Sequence, residues 1–121
     1  MAKLYFHYST MHAGKSAALL QADYNYRERG MQTLRLTASI DTRGEVGRIV
    51  SRLGITAIAR GFSADEDLFD LIASRLQDGP CACVFVDEAQ FLSETQVWQL
   101  AHCVDDLHLP VMCYGLRVDF R

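Results

Sequence analysis

No stretch of this 121-residue sequence stays apolar for more than a few residues, far short of the roughly 20 that span a bilayer. The opening MAKLYF also lacks the apolar core and small-residue cleavage site of a secretory signal. The chain is therefore expected to be soluble and cytoplasmic, with no membrane partner. Basic charge is not in excess, since the formal net charge is −3. Proteins that grip a nucleic-acid backbone usually carry a basic patch or stripe, so nucleic acid is not an expected partner. The cysteines at 81, 83, 103 and 113 and the four histidines show no ligand spacing. Cys81 and Cys83 form C-x-C with no second pair, so zinc is not expected within these residues. Three of the cysteines lie in apolar or helix-patterned stretches, where a reduced thiol acts as a small hydrophobe. Repeats, low-complexity segments and linkers are lacking too. At 50% hydrophobic content the length suits one ordinary core, and a single domain over residues 1–121 is expected.

What the sequence does contain is an alternation of strand and helix patterns. KLYFHYS reads as a strand rich in aromatics. A proline-free helix should begin at Gly14 or Lys15 and stop at Gly30. TLRLTASI alternates as a strand does, and the polar DTRGEVGR after it reads as an exposed loop. ITAIA, residues 55 to 59, is another short strand. Ser63 and Glu66 have the S-x-x-E capping form ahead of Leu68, Phe69, Leu71, Ile72 and Leu76, which predicts a helix from about 64 to 77. CACVFVDEAQF is apolar enough for a strand covered on both faces, and it runs into two acids. Ser93 and Gln96 repeat the capping pattern before a helix broken at Leu109 and Pro110, and VMCYGL is a last buried strand. The ordering predicts an α/β fold, a mostly parallel sheet flanked by helices. Such sheets bind ligands beyond the carboxyl ends of their strands, where three polar clusters fall: 9 to 16, 41 to 43 and 87 to 91.

The first cluster, STMHAGKS, has the chemistry of a phosphate loop. Gly14 lets the backbone approach a phosphate, the amides of the first helical turn face its oxygens, Lys15 reaches the outer phosphates and the Ser16 hydroxyl binds magnesium. The full pattern G-x-x-x-x-G-K-[ST] demands glycine at position 9, where this chain has Ser9. Read alone, GKS is equally an ordinary helix start with a solvated lysine, and the preceding strand and following helix favour the phosphate loop. An acid leaving a buried strand beside such a loop can hold magnesium opposite the serine. Asp87 is assigned to metal and Glu88 to proton transfer. The alternative is a pair of acids favouring the dipole of the next helix, weakened by the separation of six positions from Asp87 to Ser93.

Together and in this order, YSTMHAGKS, IDTR, VFVDEAQF and CYGLRVDFR closely resemble the thymidine kinase family of the type II, P-loop kind, over all 121 residues. The resemblance implies a P-loop NTPase-like fold and transfer of the ATP γ-phosphoryl group, with Mg²⁺, to the 5′-hydroxyl of thymidine or deoxyuridine. It also implies a homo-oligomer, usually a homotetramer. Carried over by position, it places ATP on Ser9, Thr10, Met11, His12, Ala13, Gly14, Lys15 and Ser16, with Asp41, Arg43, Asp87 and Gln90. Arg43 aligns near the phosphates with Asp41 beside it. Ser16 and Asp87 would hold magnesium, and Glu88 would be the general base. Met11, Phe91, Leu116 and Phe120 would surround the thymine ring, although Met and Phe at such positions are otherwise most simply core. The family tolerates a residue other than glycine where Ser9 stands.

His12 and Ala17 depart from the family pattern: His12 either touches an anion or stands in solvent, and Ala17 removes a hydroxyl near the phosphates. The family also continues into a C-terminal segment with a four-ligand zinc site and a lasso loop over thymidine. These 121 residues lack it, and a base pocket without that wall would hold its substrate poorly. Two rival readings stand beside the kinase. VDEAQ resembles the acidic box of nucleic-acid-dependent helicases, in which Glu88 would activate water. The other rival is an ATP-binding module without kinase activity.

Overall fold

The computed structural model describes residues 2–9, 15–38, 46–50 and 56–116, except for the side chains of 46–48. Strand β1 (Leu4–Ser9) is followed by α1 (Lys15–Glu28), β2 (Thr33–Ala38), β3 (Val46–Val50) and β4 (Thr56–Phe62). Then come α2 (Leu68–Gln77), β5 (Cys83–Asp87), a 3-10 turn (Ala89–Phe91), α3 (Glu94–Leu107) and β6 (Val111–Leu116). All six strands join one sheet in the order β1-β6-β5-β2-β4-β3. Every neighbouring pair is parallel except β3 with β4. The carboxyl ends of β1, β6, β5 and β2 consequently lie along one edge, as the α/β reading requires.

Side-chain alternation assigns the two faces. On β5, Cys83 and Phe85 pack with Leu19, Leu20 and Tyr114 under α1. Val84 and Val86 pack with Ile72, Leu100 and Val104 under α2 and α3. The period of two therefore sends Asp87 towards the α1 face.

Local chemistry sets the helix ends. After α1, Gly30 adopts φ 81°. Its amide bonds the Arg27 carbonyl at 3.0 Å and the Met31 amide bonds the Tyr26 carbonyl at 3.1 Å, a Schellman ending that needs a left-handed residue. The far half of α1 is clamped to β2 through buried Asp23, whose carboxylate meets Arg35 Nη1 at 2.7 Å, Arg27 Nε at 3.2 Å and the Thr33 hydroxyl. At α3 the predicted capping box is present: Ser93 Oγ accepts from the Gln96 amide at 3.1 Å, and Gln96 Oε1 accepts from the Ser93 amide at 3.1 Å. The same Gln96 donates through Nε2 to the carbonyls of Ser63 (2.8 Å) and Glu66 (3.1 Å), tying α3 to the turn before α2.

Three expectations are corrected. The polar stretch expected to be an exposed loop, residues 41–48, ends inside β3, whose residues pair antiparallel from Val46 opposite Arg60 to Val50 opposite Thr56. An edge strand needs only one paired side and one covered face, so its apolar pattern is sparse. Strand β4 runs three residues past the expected ITAIA, through Arg60 and Gly61 to Phe62. Helix α2 starts at Leu68, not at 64. Ser63 and Glu66 do close a turn, through the Ser63 amide to Glu66 Oε1 at 3.2 Å. The Ser63 hydroxyl, however, goes to Asp65, and Asp67 takes over the cap by accepting from the Asp70 amide at 3.1 Å.

Two outcomes follow from this packing. Gln96→Ala removes half of the capping box and leaves two carbonyls short of a donor. It should cost about 2–3 kcal/mol, a fall in Tm of about 10 °C in thermal unfolding. Trp98→Ala, at a site 63% exposed, should stay within about 0.5 kcal/mol of the parent; equal losses would contradict this packing. Burial pushes the Cys83, Cys103 and Cys113 thiols up to about 12. At pH 8 a thiol reagent should label partly buried Cys81 first and reach the other three only on unfolding.

Candidate active site

The site forms where α1 begins above the carboxyl end of β5. Lys15 and Ser16 occupy the first turn of α1, and both are buried. Asp87 closes β5 with its side chain on the same face. Lys15 Nζ lies 2.9 Å from Asp87 Oδ1, with side-chain exposures of 3% and 4%. Ser16 Oγ donates to the other oxygen, Oδ2, at 3.2 Å. A buried ion pair of this kind keeps two charges out of water, which costs several kcal/mol per ion before their attraction is counted.

Glu88 follows in the left-handed region, φ 56° and ψ 42°. For a residue other than glycine this costs about 1–2 kcal/mol. The turn overrides the strand alternation that would send neighbouring side chains to opposite faces. Both carboxylates then converge on one cation, with Glu88 Oε2 3.4 Å from Lys15 Nζ. Their exposures differ: the Glu88 side chain is 31% exposed, eight times the Asp87 value of 4%. Asp87 is thus the enclosed acid, and Glu88 is the one a solvent-borne molecule can reach.

Beyond Glu88, Gln90 Nε2 donates to Glu88 Oε1 at 2.7 Å, and Gln90 Oε1 accepts from the Leu116 amide at 2.9 Å. Phe91, 49% exposed, ends the 3-10 turn beside β6. Ser9 pairs in register with Leu116. The structure therefore gathers Ser9, Lys15, Ser16, Asp87, Glu88, Gln90, Phe91 and Leu116 at one end of the sheet. Thr10, Met11, His12, Ala13, Gly14, Asp41, Arg43 and Phe120 lie outside the described residues.

The hydroxyl of Ser16 and the carboxylate of Asp87 are hard oxygen donors on adjoining elements. That set fits magnesium, which binds through one or two carboxylates and otherwise keeps water and phosphate oxygens. The adjacent helix start presents a positive dipole end suited to an anion.

A thymidine kinase family model matches residues 2–121. The chain belongs to the thymidine kinase family. It is 66% identical over all 121 residues to a thymidine kinase of Jannaschia sp. (strain CCS1) and covers 62% of that relative. The thymidine kinase of Ruegeria pomeroyi is also 66% identical, with 61% of it covered. That of Agrobacterium fabrum is 60% identical, with 63% covered. The chain thus spans about three-fifths of the length of these curated relatives.

Two features of this member of the thymidine kinase family escaped sequence reasoning. One is the left-handed backbone at Glu88, for which an acidic residue gives no signal. The other is Gly115, which follows a buried strand pattern without marking a turn. A Cβ built there would stand 2.8 Å from Gln90 N and Oε1 and 3.0 Å from Tyr8 Cε1.

The buried pair yields a stability test. Asp87→Asn removes the buried partner of Lys15, leaving the partly exposed Glu88 carboxylate 3.4 Å from its ammonium, and should lower the unfolding free energy by about 3 kcal/mol in urea titration. The double variant Lys15→Met/Asp87→Leu removes both charges and should return to within about 1 kcal/mol of the parent. A double variant as unstable as the single one would contradict the burial described here.

Proposed function

We propose that this chain carries the phosphoryl-transfer site of an ATP-dependent thymidine kinase, moving the γ-phosphoryl group of ATP to the 5′-hydroxyl of thymidine or deoxyuridine. The observation that carries the reading is the convergence of Lys15, Ser16, Asp87 and Glu88 where α1 begins beside the carboxyl end of β5. Phosphoryl transfer through a loose transition state asks mainly for positioning and charge neutralisation. Lys15 supplies a cation at the start of α1, and Arg43 would supply a second. Ser16 and Asp87 would hold Mg²⁺, which when bound neutralises the phosphate oxygens. Glu88, the more accessible of the two acids, accepts the proton of the attacking hydroxyl as the new O–P bond forms and the bond from the γ-phosphorus to the bridging oxygen breaks, with ADP leaving. Phe91 and Leu116, with Met11 and Phe120, would flank the base.

The assignment of the two acids follows from their surroundings. Asp87 is enclosed and already faces the Ser16 hydroxyl, which suits a fixed ion. Glu88 borders solvent, which suits a group that must meet an incoming hydroxyl. The proposed assembly is a homo-oligomer, usually a homotetramer in this family, working in the cytoplasm. No helix among the described residues is long and apolar enough to cross a membrane.

The test is single-turnover transfer of labelled γ-phosphate to thymidine. Glu88→Gln should lower the transfer rate by about 10²–10⁴-fold while ATP binding stays nearly intact. Lys15→Ala should weaken both binding and turnover. Full activity in Glu88→Gln would remove the base assignment. ATP turnover stimulated by single-stranded nucleic acid, with no labelled thymidine monophosphate, would favour the helicase reading. Mg²⁺-dependent ATP binding without transfer to any nucleoside would leave a binding module.

A further inference from the structure

We infer that Gln90 is a positioning residue, a strut between the carboxylate of Glu88 and the end of β6, and that Gly115 is glycine to make room for it. The inference rests on the reading of Glu88 as the base. The geometry behind it is specific. Gln90 Nε2 donates to Glu88 Oε1 at 2.7 Å, and Gln90 Oε1 accepts from the Leu116 amide at 2.9 Å. A carboxylate only accepts and a backbone amide only donates, so one orientation of the side-chain amide satisfies both partners and its flip satisfies neither. The two partners thereby fix the rotamer of Gln90.

Glu88 needs such a fixing contact. It leaves the strand in the left-handed region, its side chain is 31% exposed, and among the described residues its second oxygen faces Lys15 at 3.4 Å. Gln90 holds Oε1 and so leaves Oε2 directed at the cation side of the crevice. The strut is anchored in the sheet because Leu116 ends β6 in register with Ser9 at the end of β1. The 3-10 turn over Ala89–Phe91 sits against β6, and Gly115 is where the two approach. A Cβ at Gly115 would lie 2.8 Å from both Gln90 N and Gln90 Oε1, closer than such atoms approach, and one of those contacts is backbone that cannot swing away. Gly115 has no left-handed φ among the glycines that do, so space is what it provides.

This reading differs from a direct contact of Gln90 with ATP, the expectation from the family resemblance. Among the described residues both functional ends of the Gln90 amide are engaged within the protein, Nε2 on Glu88 and Oε1 on Leu116. A strut acts on the rate, whereas a nucleotide contact acts on affinity.

The test uses Gln90→Met, which keeps length and volume and removes both hydrogen bonds, in the protein form that phosphorylates thymidine. It should lower kcat by about ten- to a hundredfold, with the ATP dissociation constant unchanged and the protein still folded at the assay temperature. In a Glu88→Gln background the same substitution should add no further loss. Gly115→Ala, as a second variant, should give the same kcat-selective loss. Weakened ATP binding with kcat retained, or a loss that multiplies with that of Glu88→Gln, would overturn the strut. Full activity of Glu88→Gln alone would instead overturn the base assignment, and that result is separate from the behaviour of Gln90.

Discussion

The ion pair between Lys15 and Asp87 is the constraint around which the rest of the molecule is arranged. Its partners come from the first turn of α1 and the last residue of β5, 72 positions apart in the chain. Both are almost wholly removed from water, and replacing such a pair with apolar residues is often neutral or stabilising. A fold selected for stability alone has little reason to keep it. A fold that must gather a cation and an acid beside a helix start has a direct one.

The remaining architecture holds those two elements in place. Alternation along β5 commits Cys83 and Phe85 to the α1 face, so Asp87 emerges where Lys15 can meet it. The Asp23 clamp to Arg35, Arg27 and Thr33 fixes the far half of α1, and the Schellman turn at Gly30 ends the helix where β2 must start. On the other face Gln96 links α3 to the turn before α2, so the helices under β5 are tied into one layer. The left-handed step at Glu88 then brings a second, partly exposed carboxylate to the same cation. Such backbone strain tends to persist at functional sites because the surroundings hold it there.

Much of this was legible in the sequence because strong local rules agreed with the final packing. The order of strands and helices, the α3 capping box and the placing of Lys15, Ser16, Asp87 and Glu88 at one end of the sheet all follow from spacing alone. Where the reading failed, two local rules competed. Ser63 and Glu66 carry a valid capping signature, but Asp67 is a better cap one turn nearer the apolar stripe. Strand β3 is an edge strand held by its hairpin to β4, and pairing of that kind leaves a faint hydrophobic pattern. Gly115 and the turn at Glu88 were invisible for a different reason. Each is defined by the approach of β6 to the 3-10 turn, a tertiary event that no window of sequence contains.

The decisive measurement is a crystal structure of the chain with Mg²⁺ and a non-hydrolysable ATP analogue. Lys15 Nζ should leave Asp87 for a phosphate oxygen, with the metal ion lying between Ser16 Oγ and the Asp87 carboxylate. Phosphates bound elsewhere, with Lys15 still on Asp87 and no ion at Ser16, would contradict a shared crevice for nucleotide and metal.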